Sequence, residues 1–234
     1  MLCRIADLLI EVPEAGGMSP RCWDYRTNET GGADIIIRTD LYKPDRFPYQ
    51  DEHIMAYMES CVQFCSKLLN FDGLYLHASA IEREGKAYLF SGPSGMGKST
   101  HTRLWQSLYP DARVFNDDKP ALRRLDGKWF AYGTPWCGKD GININLKVPL
   151  GGICFLRRGE TNAIRRLSPL EASARIISQT TRRFQREERL DLLLQHVDKL
   201  VREIPVYELH CLPDANAARL SYETMRRGAE EIGL

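Results

Sequence analysis

The residues in this 234-residue chain with the most specific chemistry are Gly92-Pro93-Ser94-Gly95-Met96-Gly97-Lys98-Ser99. Two glycines five positions apart, followed by Lys and Ser, have the spacing of a phosphate-binding loop. Glycine lets the backbone adopt positive φ and approach a polyphosphate with no side chain in the way. Successive N–H groups then face one concavity at the positive end of a helix dipole, where an anion is stabilised. Lys98 would reach the β- and γ-phosphates, and the Ser99 hydroxyl would be a ligand for Mg²⁺. The candidate nucleotide-binding residues are therefore Gly92, Pro93, Ser94, Gly95, Met96, Gly97, Lys98, Ser99 and Thr100.

A second pair with chemistry is Asp117-Asp118. Phosphoryl transfer needs a carboxylate near the metal and, in a kinase, a base for the attacking hydroxyl. Neighbours on an extended chain point in different directions, so two adjacent acids can supply one of each. The bland alternative is turn chemistry at a strand exit.

The flanking elements suit these tasks. Lys86–Ser91 reads as a short apolar strand, and Thr100–Tyr109 as a helix with Leu104, Trp105 and Leu108 on one face. Arg113–Asn116 makes a brief strand that ends in the acid pair. Gly73–Ile81 reads as one apolar strand with His77 inside it, and Glu82–Lys86 as the hairpin turn into the loop strand. Asp126-Gly127 is the turn of a second hairpin, 121–132. Gly133–Lys139 is too rich in Gly and Pro for a strand; Lys139 there is either a clamp for phosphate or acceptor, or a solvated lysine.

Earlier in the chain, residues 1–50 are broken by glycines and prolines, with strands expected at 33–38 and, more weakly, at 8–12. Residues 52–70 carry Ile54, Met58, Cys61, Val62, Cys65, Leu68 and Leu69 at helical spacing, a stripe expected to be core. A strand over 148–156 and helices over 169–177 and 189–203 follow. The chain closes with a strand at 205–211 and a helix from Pro213-Asp214 to about Glu231. Arg157-Arg158 reads as a surface turn with phosphate contact as the alternative, and Arg182, Arg183, Arg186 and Arg189 as a solvated helix face. His101, His196 and His210 have no partner legible in the sequence. The division expected is a small β-rich segment with a packing helix (1–72) and a P-loop domain (73–234), together an α/β fold with a mixed sheet.

Composition narrows the partners. A net charge of +1 argues against nucleic acid or a membrane surface as the main partner, and no apolar run approaches a membrane span. With an acid at Asp7 and no long apolar core, the N-terminus does not read as a signal peptide. The seven cysteines show no zinc-ligand pairing; Cys61 and Cys65 read as core thiols. This many unpaired thiols places the expectation in the reducing cytoplasm.

The interval from Lys98 to Asp117 leaves room for only one helix, about three turns at 3.6 residues each. With His77, the loop 92–99 and Val114-Phe115-Asn116-Asp117-Asp118, the chain resembles the catalytic domain of HPr kinase/phosphorylase and, more distantly, ATP-dependent phosphoenolpyruvate carboxykinase. The resemblance spans residues 74 to 125 and, loosely, to 157. It implies an HPr-kinase-like fold with a largely antiparallel mixed sheet and a helical C-terminal part. It also implies ATP and Mg²⁺ as cofactors, Lys98 on the transferred phosphate, and Ser99 and Asp117 as the metal side of the site. Asp118 would be the base for an acceptor hydroxyl, with His77 organising it.

Three departures from that family matter. No Glu occurs in Gly133–Gly138, where those enzymes carry a further metal ligand, so the coordination would be thinner there or filled by Asp140 or water. The arginine loop tied to the phosphorylase reaction is not recognisable after Ile204-Pro205-Val206. The large N-terminal domain is replaced by about seventy unrelated residues, so the acceptor expected is not HPr, and kinases that phosphorylate a serine on ribosomal peptides look closer in layout. The expectation is a kinase acting on a hydroxyl of a peptide or protein. The alternatives are a small-metabolite kinase, a carboxykinase-type enzyme and a non-catalytic ATP-binding module. Homo-oligomerisation is left open.

Overall fold

The computed structural model describes residues 1–14, 18–38, 51–180 and 187–233. The expected arginine face at 182, 183 and 186 lies outside the described residues. The chain opens with an antiparallel hairpin of β1 (Leu2–Ile5) and β2 (Leu8–Glu11), turned at Ala6 and Asp7 with φ of 53° and 59°. Two central residues at positive φ fit the twist of the strands they join. The Asp7 carboxylate accepts from Tyr132 Oη and Lys147 Nζ, both at 2.7 Å, which pins this turn to the body of the protein. A short helix α1 (Met18–Arg21) precedes β3 (Ile35–Ile36), which pairs parallel with β2. Strand β1 was not expected, because four residues with one buried face leave little periodicity to read.

Helix α2 (Glu52–Leu68) is capped by Asp51, whose side chain accepts from the N–H groups of His53 and Ile54. Such a cap satisfies donors that the first helical turn leaves without partners. Its apolar stripe is core only from Cys61 onward, joined by Phe64, Cys65 and Leu68. Ile54 and Met58 are 60% and 43% exposed, which corrects the expectation for the first two turns: helical spacing tells which residues share a face, not whether a partner covers all of it.

Among the described residues the main sheet has nine strands. After β4 (Gly73–Tyr75) come β5 (Ala78–Arg83), β6 (Lys86–Ser91), β7 (Arg113–Asp118), β8 (Ala121–Leu125) and β9 (Lys128–Tyr132). The set closes with β10 (Lys147–Arg158), β11 (Ala163–Arg166) and β12 (Val206–Cys211). The long β10 joins two halves. Lys147–Pro149 pairs antiparallel with β9, whereas the later residues pair parallel with both β6 and β12. Its register shifts between Leu150 and Gly152, and at Gly151 a Cβ would crowd the Tyr88 ring at 3.1 Å.

The expected single strand over 73–81 is two strands. Tyr75 pairs with Ala121 in one half of the sheet and Ala78 with Ser91 in the other. At the break, the Leu76 N–H donates to Pro120 O and the His77 N–H to Gln179 O. A continuous apolar run gives no sign of such a change of partner, because both strands are buried on both faces.

Alternation along the central strands divides the core. Ala87 and Leu89 of β6, with Ile153 and Phe155 of β10, face a cluster closed by α4 (Pro169–Ser178) and α5 (Glu187–Glu203). Tyr88 and Phe90, with Cys154 and Leu156, face the opposite cluster under α3 (Lys98–Leu108) and α6 (Ala215–Glu231). Period-two alternation produces this division, and helices on both faces of a sheet make the fold α/β. A third cluster joins the N-terminal sheet and α2 to Ala121, Tyr132 and Trp136.

Candidate functional site

Strand β6 ends at Ser91, and the glycine-rich loop carries the chain into α3 at Lys98. Gly97 caps the helix at φ 100°, a backbone that a side chain would strain. Pro93 accepts from the Met96 N–H inside the loop at 3.2 Å. The helix begins two residues earlier than its apolar face implied. That places Lys98 and Ser99 in its first turn.

Lys98 folds back so that its ammonium donates to Gly92 O at 3.0 Å and Pro93 O at 3.3 Å. Burial lowers its pKa, against the pull of Asp118 and Asp117. The Ser99 hydroxyl donates to Asp117 Oδ2 at 2.9 Å. Two hard oxygen donors meet there, of the kind that Mg²⁺ accepts alongside water and phosphate oxygens. Among the described residues no group of three or more His, Cys, Asp or Glu could hold a metal.

Asp118 points elsewhere. Its Oδ1 lies 3.0 Å from His77 Nε2, and its Oδ2 is paired with Lys119 Nζ. Burial raises the Asp118 pKa, but the hydrogen bond from His77 and the charge of Lys119 outweigh it and hold the carboxyl at about 2. Burial likewise works against Lys119, yet the charge and hydrogen bond of Asp118 help keep its pKa raised. Asp118 has φ 122°, a conformation that costs a non-glycine residue about 1–3 kcal/mol and persists only where surroundings enforce it. The surroundings are visible. Asn116 is fully buried, donates to Thr134 O at 2.9 Å and accepts from the Lys119 N–H at 2.9 Å. Thr134 in turn donates to Lys119 O at 2.7 Å, and Asp118 forms a bridge with Cys137.

His77 has a second support. Its Nδ1 is 3.3 Å from Gln179 Oε1, its N–H donates to Gln179 O at 2.8 Å, and Thr180 Oγ1 donates to Tyr75 O at 2.8 Å. The C-terminal end of α4 thus clamps the strand break that carries His77.

His77, Lys98, Ser99, Asp117 and Asp118 line one cleft of about 610 Å³. Ser94, Gly95, Gly97 and Thr100 border it from the loop, and Lys139 and Asp140 from the facing segment. Asp140 is paired with Arg103. Gly92, Pro93 and Met96 shape the loop from behind. Lys119, Gln179 and the buried Asn116 went unread in the sequence as parts of this site; the run Asn-Asp-Asp-Lys held the first and third, but Gln179 comes from a helix far along the chain. The three histidines without legible partners are structural: His101 meets Ser221 Oγ at 2.9 Å, His196 meets Leu69 O at 2.8 Å, and His210 lies beside Glu208.

Fold and site together define an α/β protein with a mixed sheet, a glycine-rich strand-to-helix loop and an acid pair facing it. The chain belongs to the family described as SynChlorMet cassette protein ScmC, whose model matches residues 44–216. The comparison with curated proteins returns no match. Among solved structures the chain is similar to the Hpr(Ser) kinase/phosphatase from Coxiella burnetii, at 12% identity and a TM-score of 0.40, over 67% of this chain and 90% of that one. No helix among the described residues is long and apolar enough to cross a membrane.

Proposed function

We propose that this protein is an ATP- and Mg²⁺-dependent kinase that moves the γ-phosphoryl group to a hydroxyl, with a serine of a peptide or protein as the acceptor. The observation that carries the reading is the meeting of Lys98, the Ser99–Asp117 pair and the His77–Asp118 pair in one cleft, with Lys119 paired to the other oxygen of Asp118. Residues 73–234 form the catalytic part, and residues 1–72 brace it.

Loop N–H groups and Lys98 would hold the β- and γ-phosphates. Mg²⁺, seated beside Ser99 and Asp117, would neutralise charge on the phosphate oxygens. The acceptor oxygen bonds to Pγ as the bond from Pγ to the β-bridging oxygen breaks, so ATP and R–OH give ADP, the phosphate ester and one proton. Asp118 receives the hydroxyl proton. A carboxyl held at about 2 is a weak base, which suits a loose transition state: the proton leaves late, and orienting the hydroxyl is the larger task. His77 and Lys119 keep Asp118 ionised and aimed.

The test is transfer from γ-labelled ATP with Mg²⁺ to peptides and proteins encoded beside the gene, then to a panel of small alcohols, read by label and intact mass. A single phosphate on a peptide with wild type and none with Asp118→Asn is expected. Label on a small alcohol alone would move the acceptor class, and tight ATP binding with no transfer to anything would overturn the kinase reading.

A further inference from the structure

On the side of the sheet covered by α4, the Glu208 side chain of β12 is only 5% exposed, yet four basic groups reach it. Arg157 Nε at 3.4 Å and Arg175 Nη2 at 2.6 Å donate to its Oε2. Arg165 Nη2 donates to Oε1 at 3.3 Å, and His210 Nε2 lies 3.4 Å from the same oxygen. Two groups on each oxygen fill the acceptor sites of a carboxylate. A buried carboxylate needs a cation, and one bidentate arginine supplies it. Three arginines exceed that need. Glu171 takes a second contact from Arg165 at 2.9 Å. Arg158 has no carboxylate partner among the described residues and donates instead to Gly95 O at 3.3 Å. Four arginines thus meet two carboxylates, in a chain whose net charge is only +1. The side chains of Arg157, Arg165 and Arg175 remain 37%, 51% and 35% exposed.

We propose that this arginine cluster holds an acidic segment of the peptide acceptor while the acceptor's serine lies at Asp118. The inference rests on the kinase reading and adds a substrate class: a peptide with Asp or Glu residues to one side of the serine. Placement supports it. Strands β6, β10 and β12 run parallel, and Phe155 pairs with both Ser91 and Glu208. Arg157 and His210 therefore stand two residues past the level at which β6 enters the glycine-rich loop. Ligands of open α/β sheets gather at such carboxyl ends. Arg175 comes four residues before Gln179, whose carbonyl accepts from the His77 N–H; that is about one helical turn, ~6 Å of rise. The chemistry supports it as well. Guanidinium forks match carboxylates in shape and charge. Glu208 already fixes three of these forks, so a ligand orders fewer side chains when it binds.

The experiment is fluorescence anisotropy on the full chain with two labelled serine peptides of equal length, one carrying four Asp residues and the other four Asn. Wild type should bind the Asp peptide about 10-fold tighter, and added salt should erode the difference. The double variant Arg157→Gln/Arg165→Gln leaves Glu208 its Arg175 partner at 2.6 Å, and a thermal melt checks that it folds. It should weaken the Asp peptide about 10-fold, the loss of two ion pairs at the upper end of the exposed range, and leave the Asn peptide unchanged. With the acceptor found by label transfer, the same variant should raise KM and keep kcat, the mark of a contact made equally in ground and transition states. Equal binding of the two peptides by wild type, which needs no altered protein, would overturn the inference and leave the kinase reading standing. An Asp peptide held undiminished by the folded double variant would do the same. So would its full displacement by inorganic phosphate at matched ionic strength, which marks a small-anion site. Failure of ATP to phosphorylate anything, with the peptide difference intact, would overturn the kinase reading and keep the docking surface.

Discussion

Asp118 sits between His77 and the Lys119 ammonium in a backbone conformation that few side chains tolerate, and both features are testable at that residue. If Asp118 is the base proposed above, Asp118→Asn keeps the shape and removes the proton acceptor; transfer should fall about 10²–10⁴-fold, the usual range for a general base, with ATP affinity kept. The ionised carboxyl also contributes to folding. Its pKa of about 2 lies below the usual carboxylate value, so this stabilisation is complete above pH ~4 and is lost as pH falls toward 2. Urea midpoints at pH 7, 4 and 2.5 should show wild type ahead of Asp118→Asn at pH 7 and the gap narrowing at pH 2.5. A constant gap would mean that His77 and Lys119 do not hold the carboxyl down.

At the scale of elements, α4 is the piece whose role exceeds packing. Its first turn is fixed by a capping box between Ser168 and Glu171, and the two residues that follow it, Gln179 and Thr180, clamp the β4–β5 break. Removing the cap with Ser168→Ala should cost about 1 kcal/mol in a denaturant melt. Gln179→Ala spares the backbone bond to His77 but removes the contact with Nδ1. It should lower transfer about 10-fold and shift the pH profile of the rate, since a misplaced general-base partner costs at this scale. A change in stability without a change in that profile would make Gln179 a structural residue only.

For the whole molecule, the question is how far the N-terminal segment is separable. Trp136 lies two residues before the Gly138–Asp140 edge of the cleft, stacks on Phe64 of α2 at 4.5 Å and donates to Ser60 Oγ at 3.0 Å. Ile5, Ile10 and Tyr25 are buried in the same cluster. Trp136→Ala should therefore destabilise the protein by about 3–5 kcal/mol, the range for a buried aromatic, and loosen the wall that carries Lys139. A chain lacking residues 1–38 should be recovered unfolded or aggregated, because Tyr132 and Trp136 would be left facing water. Soluble, cooperatively melting material would show that the segment is dispensable.

Sequence alone determined the local pieces of this protein. The loop 92–99 between a strand and a helix, the hairpin turned at Asp126-Gly127, and the acid pair at a strand end all follow from backbone rules a few residues long. Tertiary structure decided what those rules do not reach. Lys119, adjacent to the acids, becomes a partner of Asp118 only because a positive φ and the Asn116–Thr134 bonds turn the chain there. Gln179 meets His77 across 102 positions, and no periodicity encodes such a distance. The split of 73–81 into two strands, and the exposure of Ile54 and Met58 on an apolar stripe, depend on which neighbours arrive. Spacing specifies a face; only the assembled chain specifies what that face meets.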